Sequence, residues 1–118
     1  MEMIVEYAGE VIRPVLSDQR ERLYVSQGIG CYMFEVAPGV IVDATRCGNR
    51  ARYINHSCDP NCFSRTVTLE SGRKVIVIFA KRHIKRGEEL CYDYQFPLDE
   101  NDRVTCACGA AQCKGFMN

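Results

Sequence analysis

The chain of 118 residues carries 15 basic and 15 acidic side chains, and its formal net charge is zero. This length allows one domain with a single small core. A neutral chain without a long Lys/Arg run argues against nucleic-acid binding through phosphate contacts. No apolar run approaches the roughly 18 residues of a membrane helix, and the first residues lack the basic-then-apolar pattern of a secretion signal, so the reducing cytosol or nucleus is the expected compartment.

Two elements are expected near the start of the chain. IVEYAGEVI (residues 4–12) is rich in β-branched residues and predicts a strand that bends at Gly9. SDQRERLYVS (residues 17–26) predicts a short amphipathic helix with Ser17 as its N-cap and with a charged face in solvent. The apolar face of this helix is expected to consist of Leu16, Leu23 and Tyr24.

The rest of the chain predicts two pairs of strands and one last strand. GIGCYMFEV and VIVDAT flank the turn Pro38-Gly39, and SRTVTL and VIVIFAK flank the polar turn ESGRK. VIVIFA shows no alternation, so we expect burial on both of its faces. EELCYDYQF (residues 88–96) is the last strand-like run. The predicted fold class is therefore β-rich, with many short strands and one short helix.

Eight cysteines in a chain without a secretion signal indicate metal binding or catalysis more than a disulfide framework. Four disulfides remain an alternative on the count alone. Three of the cysteines lie in apolar or strand-like runs and are expected to be small core residues: Cys31, Cys47 and Cys91.

The tail sequence CACGAAQC has the spacing C-x-C-x4-C, and its cysteines are Cys106, Cys108 and Cys113. Three thiolates are an incomplete set, because structural zinc binds four tetrahedral ligands. The polar loop YINHSCDPNC (residues 53–62) is expected to supply the fourth ligand. The candidates in it are His56, Cys58 and Cys62. Free thiols on a loose tail are the alternative to a metal site.

His56 and Cys58 also allow a second interpretation, in which the histidine activates a nucleophilic cysteine. Residues two apart on an extended segment share a face, as such a pair requires. No Gly-rich oxyanion loop or orienting acid accompanies the pair, and a structural histidine is the competing interpretation.

Three blocks in this order, RYINHSCDPNC, GEELCYDYQF and CACGAAQC, resemble the SET-domain protein lysine methyltransferases. The segments EYAGEVIR, GIGCYMF, DATRCGNRARYINHSC and CKGFMN are similar to the trithorax/mixed-lineage-leukaemia branch, which methylates the lysine at position four of the histone H3 tail. The resemblance covers essentially the whole chain. It implies the SET-domain fold, with small β-sheets and a pseudoknot in which the C-terminal strand threads the NHSC segment. It also implies a SET domain over residues 1–97 and a post-SET zinc-binding tail over residues 98–118.

The same resemblance implies ligands and site residues. One structural zinc ion would be bound by Cys58, Cys106, Cys108 and Cys113, and Cys62 would be structural. The residues in contact with S-adenosylmethionine would be Tyr32, Asn55, His56, Ala107 and Phe116. Tyr94 would be the catalytic tyrosine, Tyr92 would limit the number of methyl groups transferred, and Tyr7 would line the substrate channel.

Tyrosines suit methyl transfer to a lysine amine better than a carboxylate pair would. Lysine has a reference pKa of about 10.4 and arrives protonated, but an apolar channel beside a sulfonium favours the neutral amine. Tyr92 and Tyr94 are two apart and are expected to point the same way, while Asp93 faces away and is structural. A core aromatic with its hydroxyl at the surface is the alternative role for each tyrosine.

The family pattern begins upstream of EYAGEVIR, with a strand and a G-x-G turn that holds the methionine part of the cofactor. This chain starts at MEMIVEY, so we expect a fragment with weak or no activity alone and with an unpaired sheet edge. The implied function is nuclear histone-lysine methylation, with the histone H3 tail as substrate and with WD-repeat and SPRY-type core subunits as partners. A non-catalytic, zinc-containing module that binds histone tails or other proteins is the alternative, and methylation of non-histone proteins is a third. Binding of S-adenosylmethionine would separate the enzyme from the binding module.

Overall fold

The computed structural model describes residues 2–94 and 104–117. The strands of this described part are β1 (Met3–Glu6), β2 (Gly9–Ile12), β3 (Met33–Ala37), β4 (Val40–Gly48), β5 (Asn55–His56), β6 (Cys62–Thr68), β7 (Lys74–Ala80) and β8 (Cys91–Tyr92). The helices are α1 (Pro14–Ser26) and a 3₁₀ helix at Arg50–Tyr53. None of the helices in these residues combines the length and the apolar character needed to span a membrane.

The strands form small sheets, as predicted. In the described residues the strand orders are β1-β7-β6, β2-β4-β3 and the two-stranded β5-β8. By its internal contacts the chain divides into two compact units. The first unit contains the residues up to Ile4, Ile54–Ser64 and the residues from Ile78 onward. The second unit contains Val5–Tyr53 and Arg65–Val77.

The strand predicted over residues 4–12 is two strands, and that expectation is wrong in part. The chain leaves β1 at Tyr7 and enters a different sheet at Gly9, where β2 pairs with β4. A register shift follows Gly9, and a Cβ at this position would lie 2.7 Å from the carbonyl oxygen of Asp43. Only glycine allows so close an approach of two backbones, so the predicted bend at Gly9 is confirmed.

The helix begins three residues earlier than predicted, and Ser17 is not its N-cap. Arg13 occupies the cap position without a side-chain bond, and Pro14 begins the helix because its fixed φ suits the first turn. The Ser17 hydroxyl instead donates to the carbonyl oxygen of Pro14 at 2.7 Å.

The predicted apolar face of α1 is wrong for its two leucines and confirmed for Tyr24. Leu16 is 36% and Leu23 is 48% exposed, whereas Tyr24 is 3% exposed. The buried residues of α1 are therefore Tyr24 and the small Ser17 rather than a stripe of leucines. The charged side chains of the helix are exposed as expected, except for Arg20, which is half-buried.

The two pairs of strands are confirmed. β3 and β4 form an antiparallel hairpin around Pro38 and Gly39, and Gly39 takes a φ of +78° that suits glycine in a tight turn. SRTVTL and VIVIFAK correspond to β6 and β7, which are neighbours in one sheet. The middle of β7 is buried throughout, from Val75 at 7% to Ile78 at 0% exposure. This burial on both faces explains the missing alternation in its sequence.

Two of the three cysteines that were expected in the core lie at the surface. Cys31 and Cys47 are exposed, and Cys91 is half-buried. Cys47 belongs to the exposed last residues of β4, and Cys31 precedes β3, so neither shares the burial of its strand. Cys62 is fully buried, in agreement with the structural role that the resemblance implied.

Candidate active site and metal centre

Four cysteines form a compact cluster in the first unit. The sulfur atoms of Cys58, Cys106, Cys108 and Cys113 all lie within 4.8 Å of one another. The distances from the Cys58 sulfur to those of Cys106 and Cys113 are both 3.9 Å. Zinc–sulfur bonds of about 2.3 Å in a tetrahedron place the sulfurs about 3.8 Å apart. The cluster therefore fits one zinc ion, and of the three candidates for the fourth ligand the structure selects Cys58.

Backbone N–H groups point at these sulfurs, as metal thiolates require. Lys114 N–H donates to the Cys58 sulfur at 3.4 Å, and Gly115 N–H donates to the Cys113 sulfur at 3.4 Å. The N–H groups of Cys58 and Ala110 lower the pKa of Cys108 to about 6. Such donors stabilise the charge of a thiolate without competing for the ion.

The four thiols do not ionise alike. Burial, with the neighbouring thiols, raises the pKa of Cys106 to about 12. The Lys114 N–H lowers the pKa of Cys58, but burial and the thiols of Cys113 and Cys108 outweigh it, so that the pKa is raised. Because adjacent thiolates repel, the cluster needs a cation before all four can lose their protons.

The raised pKa of Cys58 also argues against the nucleophile interpretation. A nucleophilic cysteine needs a lowered pKa, which an adjacent imidazolium would supply. Nε2 of His56 does lie 3.5 Å from the Cys58 sulfur. Burial, however, lowers the pKa of His56 and disfavours the imidazolium.

The loop YINHSCDPNC is held against the segment around Tyr92 by β5 and β8. These strands pair in parallel, with Asn55 opposite Cys91 and His56 opposite Tyr92. Ser57 N–H extends the pairing by donating to the carbonyl of Tyr92 at 3.1 Å. This pairing brings together the two segments that the predicted pseudoknot joins.

Asn61 fixes the far end of the same loop, and the sequence reasoning did not assign it a role. It is 3% exposed, and its amide donates to Glu88 at 2.9 Å and to the carbonyl of Glu89 at 2.8 Å. Its Oδ1 accepts from Cys91 N–H at 2.9 Å. A buried side chain with three partners of this kind signals a structural role, and its place in DPNC between two cysteines was the only clue in the sequence.

Tyr92 and Tyr94 lie side by side, as expected from their spacing. Their ring centroids are 4.9 Å apart, and Tyr92 is 4% exposed. The Tyr94 hydroxyl donates to the carbonyl of Ile54, and the Tyr94 N–H donates to Nδ1 of His56 at 3.0 Å. Tyr94 is thus held at both ends, by Ile54 and by His56. The remainder of EELCYDYQF, Gln95 and Phe96, lies outside the described residues, as does the predicted domain boundary after residue 97.

Asp93 was expected to face away from the two tyrosines and to be structural, and its ion pairs are with His56 and Lys114. Its carboxylate lies 3.7 Å from Nδ1 of His56 and 3.8 Å from Nζ of Lys114. The aspartate therefore connects the YDY segment to the residue that follows the last cysteine of the cluster. No pattern in the sequence indicates this contact, because Lys114 is distant in the chain.

The remaining candidates in this unit lie around the same segments. Asn55 is exposed, and its amide donates to Glu89 at 2.8 Å. Ala107 is exposed between two cysteines of the cluster. Phe116 is half-buried and pairs with Thr105 in an isolated antiparallel bridge, which closes the cysteine-bearing loop. Their roles toward S-adenosylmethionine stay predictions.

Tyr7 and Tyr32 belong to the second unit. Tyr7 is 6% exposed, and its ring lies 5.3 Å from that of Phe34. The half-buried Tyr32 ring lies edge-on to Tyr53 at 5.9 Å. The Arg52 guanidinium lies 5.6 Å from the Tyr32 ring centroid and 4.7 Å from that of Tyr53. This aromatic and cationic group was not anticipated, although RARY precedes the NHSC motif directly.

Comparison with known proteins identifies the family. The family model described as the SET domain matches residues 1–95. The chain is 55% identical over 117 residues to the histone-lysine N-methyltransferase trithorax of Drosophila virilis, covering 99% of this chain and 3% of that protein. It is 58% identical over 118 residues to human histone-lysine N-methyltransferase 2B, covering 99% of this chain and 4% of that protein. Human histone-lysine N-methyltransferase SETD1B is 51% identical over 118 residues, covering 99% of this chain and 6% of that protein.

The chain thus spans a few per cent of the length of these relatives, which are all named as histone-lysine methyltransferases. The match covers the NHSC loop, the YDY segment and the preceding strands, whose pairing the structure describes. The resemblance seen in the sequence is therefore confirmed: this chain belongs to the SET-domain family.

Proposed function

We propose that this SET domain transfers a methyl group from S-adenosylmethionine to the ε-amine of a histone lysine, namely the lysine at position four of the histone H3 tail. The observation that carries this proposal is the identity of 51–58% over nearly the whole chain to relatives named as histone-lysine methyltransferases. The proposed setting is chromatin in the nucleus. The proposed partners are the histone H3 tail and WD-repeat and SPRY-type core subunits.

S-adenosylmethionine supplies an activated methyl group, so the protein has to orient and desolvate the reacting atoms rather than provide a strong base. We assign the orienting hydroxyl to Tyr94, whose backbone N–H donates to His56 and whose hydroxyl donates to the carbonyl of Ile54. The adjacent Tyr92 would hold the amine or a water and so limit the number of methyl groups transferred. Tyr7 would form an apolar wall of the lysine channel, where desolvation favours the neutral amine.

The cofactor contacts are proposed for Tyr32, Asn55, His56, Ala107 and Phe116. The zinc ion is proposed to be structural, because four thiolates leave no coordination position for water. Its binding would order residues 104–117 beside the NHSC loop, since coordination energy becomes folding energy. Removal of zinc would then lower activity indirectly.

Mass-spectrometric methylation of a histone H3 tail peptide tests this function. We would compare the zinc-loaded chain with a version extended upstream by a G-x-G segment of the family, each with and without core subunits. The matched controls are Tyr94→Phe and a peptide with arginine in place of the fourth-position lysine. Methyl transfer that both controls abolish would support the proposal. If every version binds the peptide but none transfers a methyl group, the proposed function is overturned in favour of a binding module.

A further inference from the structure

The imidazole of His56 lies between the cysteine cluster and Tyr94. Its side chain is fully buried, and its two nitrogens have different neighbours. Nδ1 lies 3.0 Å from the Tyr94 backbone nitrogen, and Nε2 lies 3.5 Å from the Cys58 sulfur. A single ring thus contacts both the residue proposed for catalysis and a proposed ligand of zinc.

The contacts determine which nitrogen carries the proton. A backbone N–H can only donate, so Nδ1 must accept the bond from Tyr94 with its lone pair. The neutral ring then carries its proton on Nε2, which is the nitrogen that faces the Cys58 sulfur. The Asp93 carboxylate at 3.7 Å does not change this assignment, because the Tyr94 N–H is the nearer partner of Nδ1.

We propose that His56 is a positioning residue: it donates Nε2–H to the Cys58 thiolate and accepts the Tyr94 N–H, and it thereby couples metal binding to the placement of Tyr94. The inference rests on the proposed zinc site. Groups that hydrogen-bond to metal ligands orient those ligands and adjust their affinity for the ion. Here the same group also fixes the backbone of Tyr94, whose hydroxyl is bound to Ile54, two residues before His56.

The tautomer of His56 gives the first test, and it needs no substitution. The chain has two histidines, and His83 is exposed, so it serves as an internal reference. Long-range proton–nitrogen correlation spectra of the zinc-loaded chain should show His56 with the proton on Nε2 and with Nδ1 unprotonated. Replacement of zinc by cadmium-113 should reveal a coupling from the metal to the Nε2 proton. A proton on Nδ1, or an imidazolium at neutral pH, would overturn the proposal.

Two substitutions separate the two hydrogen bonds of His56. In His56→Asn the amide oxygen can replace Nδ1 as the acceptor for Tyr94, but no donor reaches Cys58. In His56→Gln the longer amide can still donate toward the Cys58 sulfur. Zinc affinity, measured by competition with a chelator, should fall about 10–100-fold in His56→Asn and clearly less in His56→Gln. His83→Asn is the matched control and should bind zinc like the unsubstituted chain.

Hydrogen exchange of the Tyr94 amide then tests the coupling itself. Zinc should slow this exchange about tenfold in the unsubstituted chain and less than about twofold in His56→Asn, because local protection follows the free energy of opening. Equal zinc affinities for His56→Asn and His83→Asn would overturn the inference and leave the proposed function intact. Failure of the unsubstituted chain to bind zinc would overturn the metal site as well. If His56→Asn does not fold, the tautomer measurement still decides the question.

Discussion

Tyr24 of α1 and Asp43 of β4 form a buried hydrogen bond whose removal should cost a large share of the protein's stability. The Tyr24 hydroxyl donates to the Asp43 carboxylate at 2.7 Å, and the residues are 3% and 2% exposed. The carboxylate also accepts from Arg20 at 3.1 Å and from Thr45 N–H at 3.0 Å. Tyr24→Phe removes one of these donors and leaves the other two in place.

The magnitude follows from burial and charge. A hydrogen bond to a charged group contributes about 1.5–3 kcal/mol, and here water cannot replace the lost donor. We expect Tyr24→Phe to lower the free energy of unfolding by that amount. With a urea dependence of about 1.5 kcal/mol/M for a small domain, the unfolding midpoint should fall by about 1–2 M.

The control is Tyr53→Phe, because Tyr53 is 58% exposed and water can replace the bond that its hydroxyl accepts from Arg52. That substitution should change the free energy of unfolding by less than about 0.5 kcal/mol. If the two variants have equal midpoints, the Tyr24–Asp43 bond contributes nothing and our reasoning about α1 is wrong.

The Tyr24–Asp43 hydrogen bond should also affect how the stability changes in acid. Burial raises the pKa of Asp43, but the hydrogen bonds from Thr45, Tyr24 and Arg20 outweigh it, so that its pKa lies below the ordinary value of 3.8. The stabilisation by Asp43 is therefore complete above that pH and is lost as the pH falls further. Tyr24→Phe brings the pKa of Asp43 closer to its ordinary value, so the variant should lose less stability in acid than the unsubstituted chain.

Three further outcomes are expected. Arg82 and Asn61 lower the pKa of Glu88 from 4.5 to about 2. The stability that the ionised Glu88 contributes is therefore present above pH 4.5 and is lost as the pH falls toward 2. Glu88→Gln should flatten this decline in acid unfolding curves. Ile78→Ala should lower the free energy of unfolding by about 2–5 kcal/mol in urea titrations, because Ile78 is fully buried and its removal leaves a cavity. A loss below about 1 kcal/mol would show that the surrounding side chains collapse into that cavity. Tyr92→Phe should shift methylated peptide products toward higher methylation states in mass spectra, and an unchanged distribution would remove Tyr92 from product control.

Short-range patterns in the sequence predicted most strands, because turn residues and β-branched runs act locally. Pro38-Gly39 marked the β3–β4 turn, and the unbroken apolar run of β7 indicated burial on both faces. The face of α1 could not be predicted in this way. Leu16 and Leu23 have the spacing of a buried stripe, but the helix is anchored instead by Tyr24, which reaches the buried carboxylate of Asp43. The sequence does not show that partner, because it lies 19 residues further along the chain.

The cysteine cluster was predictable because three cysteines so close together in the sequence can surround a single ion. The C-x-C-x4-C run indicated an incomplete tetrahedral set, and the structure supplies Cys58 as the fourth sulfur. The expectation that cysteines in apolar runs are buried was wrong for Cys31 and Cys47, which are exposed. An apolar run around a cysteine predicts burial of that cysteine only where other parts of the protein cover the whole strand.

The polar residues crowded into YINHSCDPNC serve the fold as much as the chemistry. β5 pairs with β8 over only two residues on each strand, which is too little backbone pairing to fix a loop. Side chains provide the rest: Asn61 accepts from the backbone N–H of Cys91, His56 accepts from the backbone N–H of Tyr94, and Cys58 lies beside the tail cysteines. Each contact uses a different functional group and a different partner. A substitution in this loop should therefore disturb the placement of Tyr94 and the cysteine cluster together, because both depend on the same short pairing.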